Sequence, residues 1–161
     1  MDIKASWLKT AFPLKTATDT FQLGKDIGMI CRGGEVIGLI GPLGAGKTVL
    51  VQGIAEGLGI AEYAVSSPTF SIMNLYPAGH TPLCHIDLYR LDQPLETIGL
   101  EEYLNWEGVT AIEWADKAVI DEMNVVIELS DAGGNERLVI LSADSALFNQ
   151  LAGVVPLKFS F

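Results

Sequence analysis

Eight consecutive residues, Gly41-Pro-Leu-Gly-Ala-Gly-Lys47-Thr48, fit the pattern G-x-x-x-x-G-K-[ST] in full. Glycines at Gly41, Gly44 and Gly46 allow backbone angles that turn several N–H groups inward, and with Ala45 they form a concave anion site. A helix opening directly after such a turn adds free N–H groups and the positive end of its dipole. Lys47 can then reach the β- and γ-phosphates of a nucleotide, and the Thr48 hydroxyl can hold Mg²⁺. The competing account is a chance glycine turn. A buried strand before the pattern and a helix after it are the context a phosphate loop requires, and they decide for the loop.

A phosphate loop alone hydrolyses nothing. Hydrolysis needs an acid near the metal and a group that positions the attacking water. In an open α/β sheet such groups stand where strands end at their carboxyl edge. Asp87, after Leu83-Cys-His-Ile86, and Glu113, after Val109-Thr-Ala-Ile112, have that form. By spacing alone, each reads equally well as a solvated acid closing an apolar strand. Ser66-Ser-Pro-Thr69-Phe70 reads, on its residues alone, better as a Ser/Pro turn than as a switch loop whose Thr69 hydroxyl senses the metal. His85 alternates with Cys84 and Ile86 and reads as packed rather than ligating, and His80 reads as solvated. No metal-ligand spacing links either histidine to Cys31 or Cys84, which read as buried reduced thiols. Mg²⁺ is the metal expected.

The elements around these residues follow from periodicity and caps. Thr16 and Asp19 have capping-box spacing and open a helix over residues 16–31, with Phe21, Ile27 and Ile30 as its apolar face and Gly33-Gly34 as its stop. Residues 35–40 read as a buried strand and 48–58 as a helix ended by Gly59. Strands are predicted over 70–76 and 83–88, joined by a hairpin-like 77–82. Residues 94–106 read as a helix and 109–114 as a strand. Two further strands, 124–129 and 137–141, flank the turn Asp131-Ala-Gly-Gly-Asn135, a helix covers 144–151, and the tail resembles an edge strand. The mixture predicts an α/β fold: a three-layer, P-loop NTPase-like domain with a mixed, partly parallel central sheet. Nothing marks a boundary, so residues 1–161 read as one domain.

Composition narrows the function. A chain that is 49% hydrophobic is not disordered. Its apolar runs fall far short of the roughly 20 residues a membrane span needs. MDIKASWLKT lacks the apolar stretch of a secretory signal. These features predict a soluble, cytoplasmic protein without a membrane partner. Twenty acidic residues against ten basic ones, a formal charge of -10, argue against a direct grip on nucleic acid and suit a basic protein partner.

LGAGKT, SSPTF, HIDLYRL and AIEWADK stand in the order and spacing of the bacterial TsaE family, with Leu23-Gly24 and Leu100-Glu-Glu-Tyr103 extending the likeness. Over roughly residues 16–141 the chain resembles that family. The resemblance implies the ATPase component of the machinery that makes threonylcarbamoyladenosine beside the anticodon of certain transfer RNAs. It implies that Gly41, Gly44, Gly46, Lys47 and Thr48 cradle ATP, with Thr48 also on Mg²⁺, and that Thr69 belongs to a nucleotide-sensing loop. Asp87 would be the metal-side acid and Glu113 would orient or activate water; which of the two is the principal Mg²⁺ ligand stays open. Trp114 follows Glu113 in the family pattern, and core packing is its preferred role. Two departures stand out. Pro42 occupies a position where the family often has an acid, and Val49 one where a second threonine is common. Neither touches the Lys47–Thr48 pair. The implied partners are TsaD and TsaB, with transfer RNA handled mainly by them. Since Arg32, Arg90 and Arg137 are the only arginines, slow intrinsic turnover accelerated by a partner is expected.

Three rivals remain in view. A GTPase would need the N/T-K-x-D guanine motif, and no Asn or Thr here is followed by Lys. A small-molecule kinase needs an arginine-bearing lid, which three scattered arginines supply poorly. A non-catalytic sensor, in which ATP merely orders the SSPTF loop, is the third.

Overall fold

The computed structural model describes residues 4–61, 64–68 and 71–153. Its strands are β1 (Leu8–Leu14), β2 (Val36–Ile40), β3 (Met73–Tyr76), β4 (Leu83–Asp87), β5 (Val109–Glu113), β6 (Val125–Gly133) and β7 (Glu136–Ala143). Its helices are α1 (Ala17–Ile30), α2 (Lys47–Gly57) and α3 (Ser145–Ala152). The strands form a single sheet in the order β1-β7-β6-β2-β5-β4-β3. The central four are parallel, because β2 pairs with both β5 and β6, and β4 pairs with β5. Strands β3, β7 and β1 join antiparallel at the margins. Continuous apolar runs such as VIGLI belong in the middle, where helices or turns cover both faces of the sheet.

Alternation along each strand sorts the core into two layers. Ile37, Leu39, Ala111, Ile127 and Val139 meet Leu23, Ile27, Leu50 and Ile54 of α1 and α2 on one face. Val36, Cys84, Ile86, Ile112 and Val126 meet Leu100, Leu104, Ile120 and Met123 on the other. The predicted three-layer α/β architecture with a mixed sheet is therefore present, although its third layer is thin. The helix expected over residues 94–106 is instead two short 3₁₀ turns, Leu95–Ile98 and Glu101–Tyr103. Gly99 stands between them at φ 69°, a left-handed angle that interrupts the spiral.

Other expectations needed adjustment. Strand β1, not anticipated, runs along the sheet margin, where Pro13 is tolerated because edge strands leave one side unpaired. The second hairpin is tighter than expected. Its strands reach Gly133 and Glu136, and Gly133 and Gly134 make the turn at positive φ. The Thr16–Asp19 capping box forms as read. The inward face of α1, however, is Leu23 and Ile27 with Thr20, Gly24 and Gly28, and Phe21 and Ile30 are half-buried. Cys31 and Cys84 are buried free thiols, whereas His80 is exposed. The strand expected from residue 70 begins at Met73; Phe70 and the tail from residue 154 lie outside the described residues. Among the described residues no helix is long and apolar enough to cross a membrane.

Helices α1 and α2 touch backbone to backbone. A Cβ on Gly24 would lie 2.2 Å from the Leu50 carbonyl, and one on Gly53 would lie 2.1 Å from that of Phe21. Gly28 and Gly57 repeat the contact one turn further on, so four glycines set how closely α2 approaches.

Candidate functional site

Strand β2 delivers the chain to Gly41, where a side chain would strike the Leu129 carbonyl at 2.5 Å. The turn then passes Gly44 at φ 79° and Gly46 at φ 104° into α2. Thr16 and Asp144 cap α1 and α3 with their side chains, but Gly46 offers α2 none. Among the described residues, therefore, no side chain caps the first-turn N–H groups of α2, at the end that borders a cleft of about 560 Å³. A donor-rich helix end of this kind suits an anion.

Lys47 is 5% exposed and reaches back over the loop. Its Nζ donates to the Gly41 and Pro42 carbonyls at 2.6 and 2.9 Å and stands 4.1 Å from the centroid of the Trp114 ring. Burial lowers its pKa from the ordinary lysine value, and the negative charges of Glu113, Asp87 and Asp116 partly oppose that. Among the described residues this buried ammonium has no ion pair. A cation held by carbonyl dipoles and a ring face fits a phosphate that would supply the missing charge.

The two acids proposed from strand ends stand side by side, since Asp87 and Glu113 are register partners on the adjacent strands β4 and β5. Glu113 is 3% exposed. Its Oε1 accepts the Thr48 hydroxyl and pairs with His85 Nε2, both at 2.9 Å. Asp87 is half-buried; its Oδ2 accepts the Ser67 hydroxyl at 3.1 Å and its Oδ1 the Tyr89 N–H at 2.9 Å. Gly44, Ala45, Gly46, Lys47, Thr48, Asp87 and Glu113 thus line one cleft. Gly41 stands behind it, holding Lys47, and Thr69 lies outside the described residues. No group of three or more His, Cys, Asp or Glu forms a metal cage among the described residues. One hydroxyl and one or two carboxylates suit Mg²⁺, which takes few protein ligands beside phosphate and water oxygens.

Three contributors escaped the sequence reading. Trp114 packs against the core layer of Cys84 and Ile112, as read, but it also borders the cleft, and it is the one non-glycine residue at positive φ among the described residues (58°). A left-handed angle costs such a residue about 1–2 kcal/mol, and strain of this kind concentrates at functional sites. Arg137 reaches across from β7 to the phosphate loop. Its Nε and Nη2 donate to the Ala45 and Gly44 carbonyls at 3.1 and 3.3 Å, and its Nη1 holds the carbonyls of Gly134 and Glu136. No local pattern signals a contact across 92 positions. His85 carried a weak signal, because alternation sets it on the same face as Asp87, one strand from Glu113.

A strand–glycine turn–helix unit, with two acids at the carboxyl ends of adjacent parallel strands, defines an α/β protein of the phosphate-loop fold class. Within that class, the family model described as threonylcarbamoyl adenosine biosynthesis protein TsaE matches residues 14–139, and the chain belongs to this family. A Bacillus subtilis (strain 168) protein named tRNA threonylcarbamoyladenosine biosynthesis protein TsaE is 39% identical over 127 residues, 78% of this chain and 80% of that protein. A Nostoc protein of the same name is 42% identical over 126 residues, 73% and 76% of the two chains. The crystal structure of YdiB from Bacillus subtilis superposes with a TM-score of 0.75 at 29% identity, covering 96% of this chain and 97% of that one.

Proposed function

We propose that this chain is a Mg²⁺-dependent ATPase of the cytoplasm that serves threonylcarbamoyl modification of transfer RNA adenosine beside the anticodon. It would act with TsaD and TsaB through a nucleotide-driven conformational cycle. One observation carries the reading: Lys47 and Thr48 at the start of α2 share a cleft with Asp87 and Glu113 at the ends of β4 and β5. The names of the relatives supply the pathway.

In this reading the backbone N–H groups from Gly44 to Thr48 and the Lys47 ammonium bind the phosphates. Thr48 and Asp87 hold Mg²⁺, which supplies neutralisation of the charge that develops between the β- and γ-phosphates. Glu113 orients the attacking water. Its burial keeps the carboxylate fixed, and positioning with electrostatics does nearly all of this chemistry. Ser67, in the SSPTF segment, already bonds to Asp87, so an occupant at Asp87 has a direct route to that segment. ATP rather than GTP follows from the missing guanine motif. A net charge of -10 leaves transfer RNA to the partners.

The test is ATP turnover by the isolated protein, then with TsaD–TsaB, then with transfer RNA added. Slow turnover rising at least about tenfold in the complex is expected, since a partner's arginine can be worth far more. Equal turnover removes partner activation. Absence of binding heat from Mg–ATP on folded protein overturns the nucleotide reading itself.

A further inference from the structure

His85 sits inside β4 with no solvent exposure. Its Nε2 lies 2.9 Å from Glu113 Oε1, while its Nδ1 is buried with no hydrogen-bond partner among the described residues. One form of the ring fits these surroundings: hydrogen on Nε2, donated to the carboxylate. The other tautomer would set a lone pair against a negative oxygen, and a doubly protonated ring would bury an unpaired N–H. An interior strand position is ordinarily filled by Val, Ile or Leu. Imidazole there leaves one polar atom unsatisfied, a cost that packing alone does not offset.

The bond falls on a particular oxygen. Oε1 takes both the His85 ring and the Thr48 hydroxyl, and among the described residues no hydrogen bond reaches Oε2. The small side chain of Ala111, opposite His85 on β5, leaves room for the ring to lie along the strand toward Glu113. A hydroxyl that lends a lone pair to a metal keeps its hydrogen for Glu113, so Thr48 and His85 would hold Oε1 together, from the loop and from the neighbouring strand.

We propose that His85 is a positioning residue for Glu113, fixing Oε1 so that Oε2 is presented to water in the cleft. The proposal rests on the reading of Glu113 as the water-orienting group, and the experiment separates the two. His85→Leu removes the donor at similar size, and His85→Gln restores an N–H of similar reach. In nucleotide-free protein, long-range ¹H–¹⁵N correlation of the two histidine rings reads the tautomer directly. We expect hydrogen on Nε2 of His85, with ring shifts that move in Glu113→Ala. In the assembled complex His85→Leu should lose about 10–100-fold in kcat, the usual effect of removing such a support. Its calorimetric affinity for Mg–ATP should stay within about twofold, and His85→Gln should recover most of the rate. The variant combining His85→Leu with Glu113→Ala should be no slower than Glu113→Ala alone, because a support has nothing left to position. Hydrogen on Nδ1, full activity of folded His85→Leu, or losses that multiply in the double variant would each overturn the proposal. Should the unsubstituted complex hydrolyse no ATP, the ATPase reading fails, and the ring spectrum alone decides whether His85 holds Glu113.

Discussion

Replacing Gly24 by alanine sets two effects of opposite sign against each other. Alanine favours a helix interior over glycine by about 1 kcal/mol, so local propensity alone makes the variant more stable. The new Cβ, however, would stand 2.2 Å from the Leu50 carbonyl oxygen and 2.9 Å from the Ile54 nitrogen, where ordinary contact begins at 3.4 Å. Both obstacles are backbone of α2 and cannot rotate aside. The helices must separate by on the order of 1 Å, loosening Leu23 and Ile27 against Leu50 and Ile54. Overpacking of this kind costs about 1–3 kcal/mol, occasionally more. With rigid backbone as the neighbour the upper end applies, leaving a net loss of about 2 kcal/mol. For 161 residues that lowers the melting temperature by roughly 4–8 °C. Because α2 begins with Lys47 and Thr48, the same displacement should weaken Mg–ATP binding. Scanning calorimetry, with urea titration to check that the m value holds, makes the measurement. Gly53→Ala meets the Phe21 carbonyl at 2.1 Å and should behave alike. A Gly24→Ala protein as stable as the parent, or more so, would refute the close approach of α1 and α2.

Glu113→Ala should lower ATP turnover about 10²–10⁴-fold, the usual worth of a positioned acid–base group, while Mg–ATP still releases heat in a titration. Unchanged turnover removes Glu113 from the chemistry. Arg137→Met deletes the bonds to the Ala45 and Gly44 carbonyls. The Kd for Mg–ATP should rise about tenfold, the equivalent of one charge-assisted hydrogen bond, with kcat at saturation little altered; an unmoved Kd shows that the clamp is idle. Lys47→Met should abolish the rise in melting temperature that Mg–ATP produces and shift the ligand-free protein by about 1 kcal/mol or less, since a buried, unpaired charge is lost along with two hydrogen bonds. A persistent ligand-induced shift contradicts the role of Lys47. The thiols give a pH dependence. Burial, with help from Glu102, pushes Cys84 from 9.0 up to about 12, and burial with Glu35 pushes Cys31 up as well. The unfolded chain therefore releases these protons first. Their contribution to stability is complete below the unfolded value near 9 and declines as pH climbs through the folded one, by up to about 1.4 kcal/mol per thiol per pH unit. Urea midpoints that stay level from about pH 8 to 10.5, together with rapid thiol modification of native protein, would refute this.

Short-range chemistry is what the sequence by itself determined. The Gly41–Thr48 turn, the Thr16–Asp19 cap and the apolar runs ending in Asp87 and Glu113 each draw their conformation from neighbours within a few positions, so composition and spacing sufficed to place them. Local patterns also sufficed for the α/β class. What residues 94–106 become was settled by Gly99 and by the sheet face they cover, against a helical pattern that read plausibly on its own. Edge strand β1 exists only because β7 offers it a ladder more than a hundred positions away. The same holds at the site. That Arg137 braces the loop, that Trp114 lies against Lys47 and that His85 meets Glu113 are contacts between distant segments, and beyond the alternation that sets His85 on the face of Asp87 no residue in such a pair carries a local signature of its partner. Tertiary structure decided them because hydrogen bonds and backbone packing act over a few ångströms of space, whatever the separation along the chain.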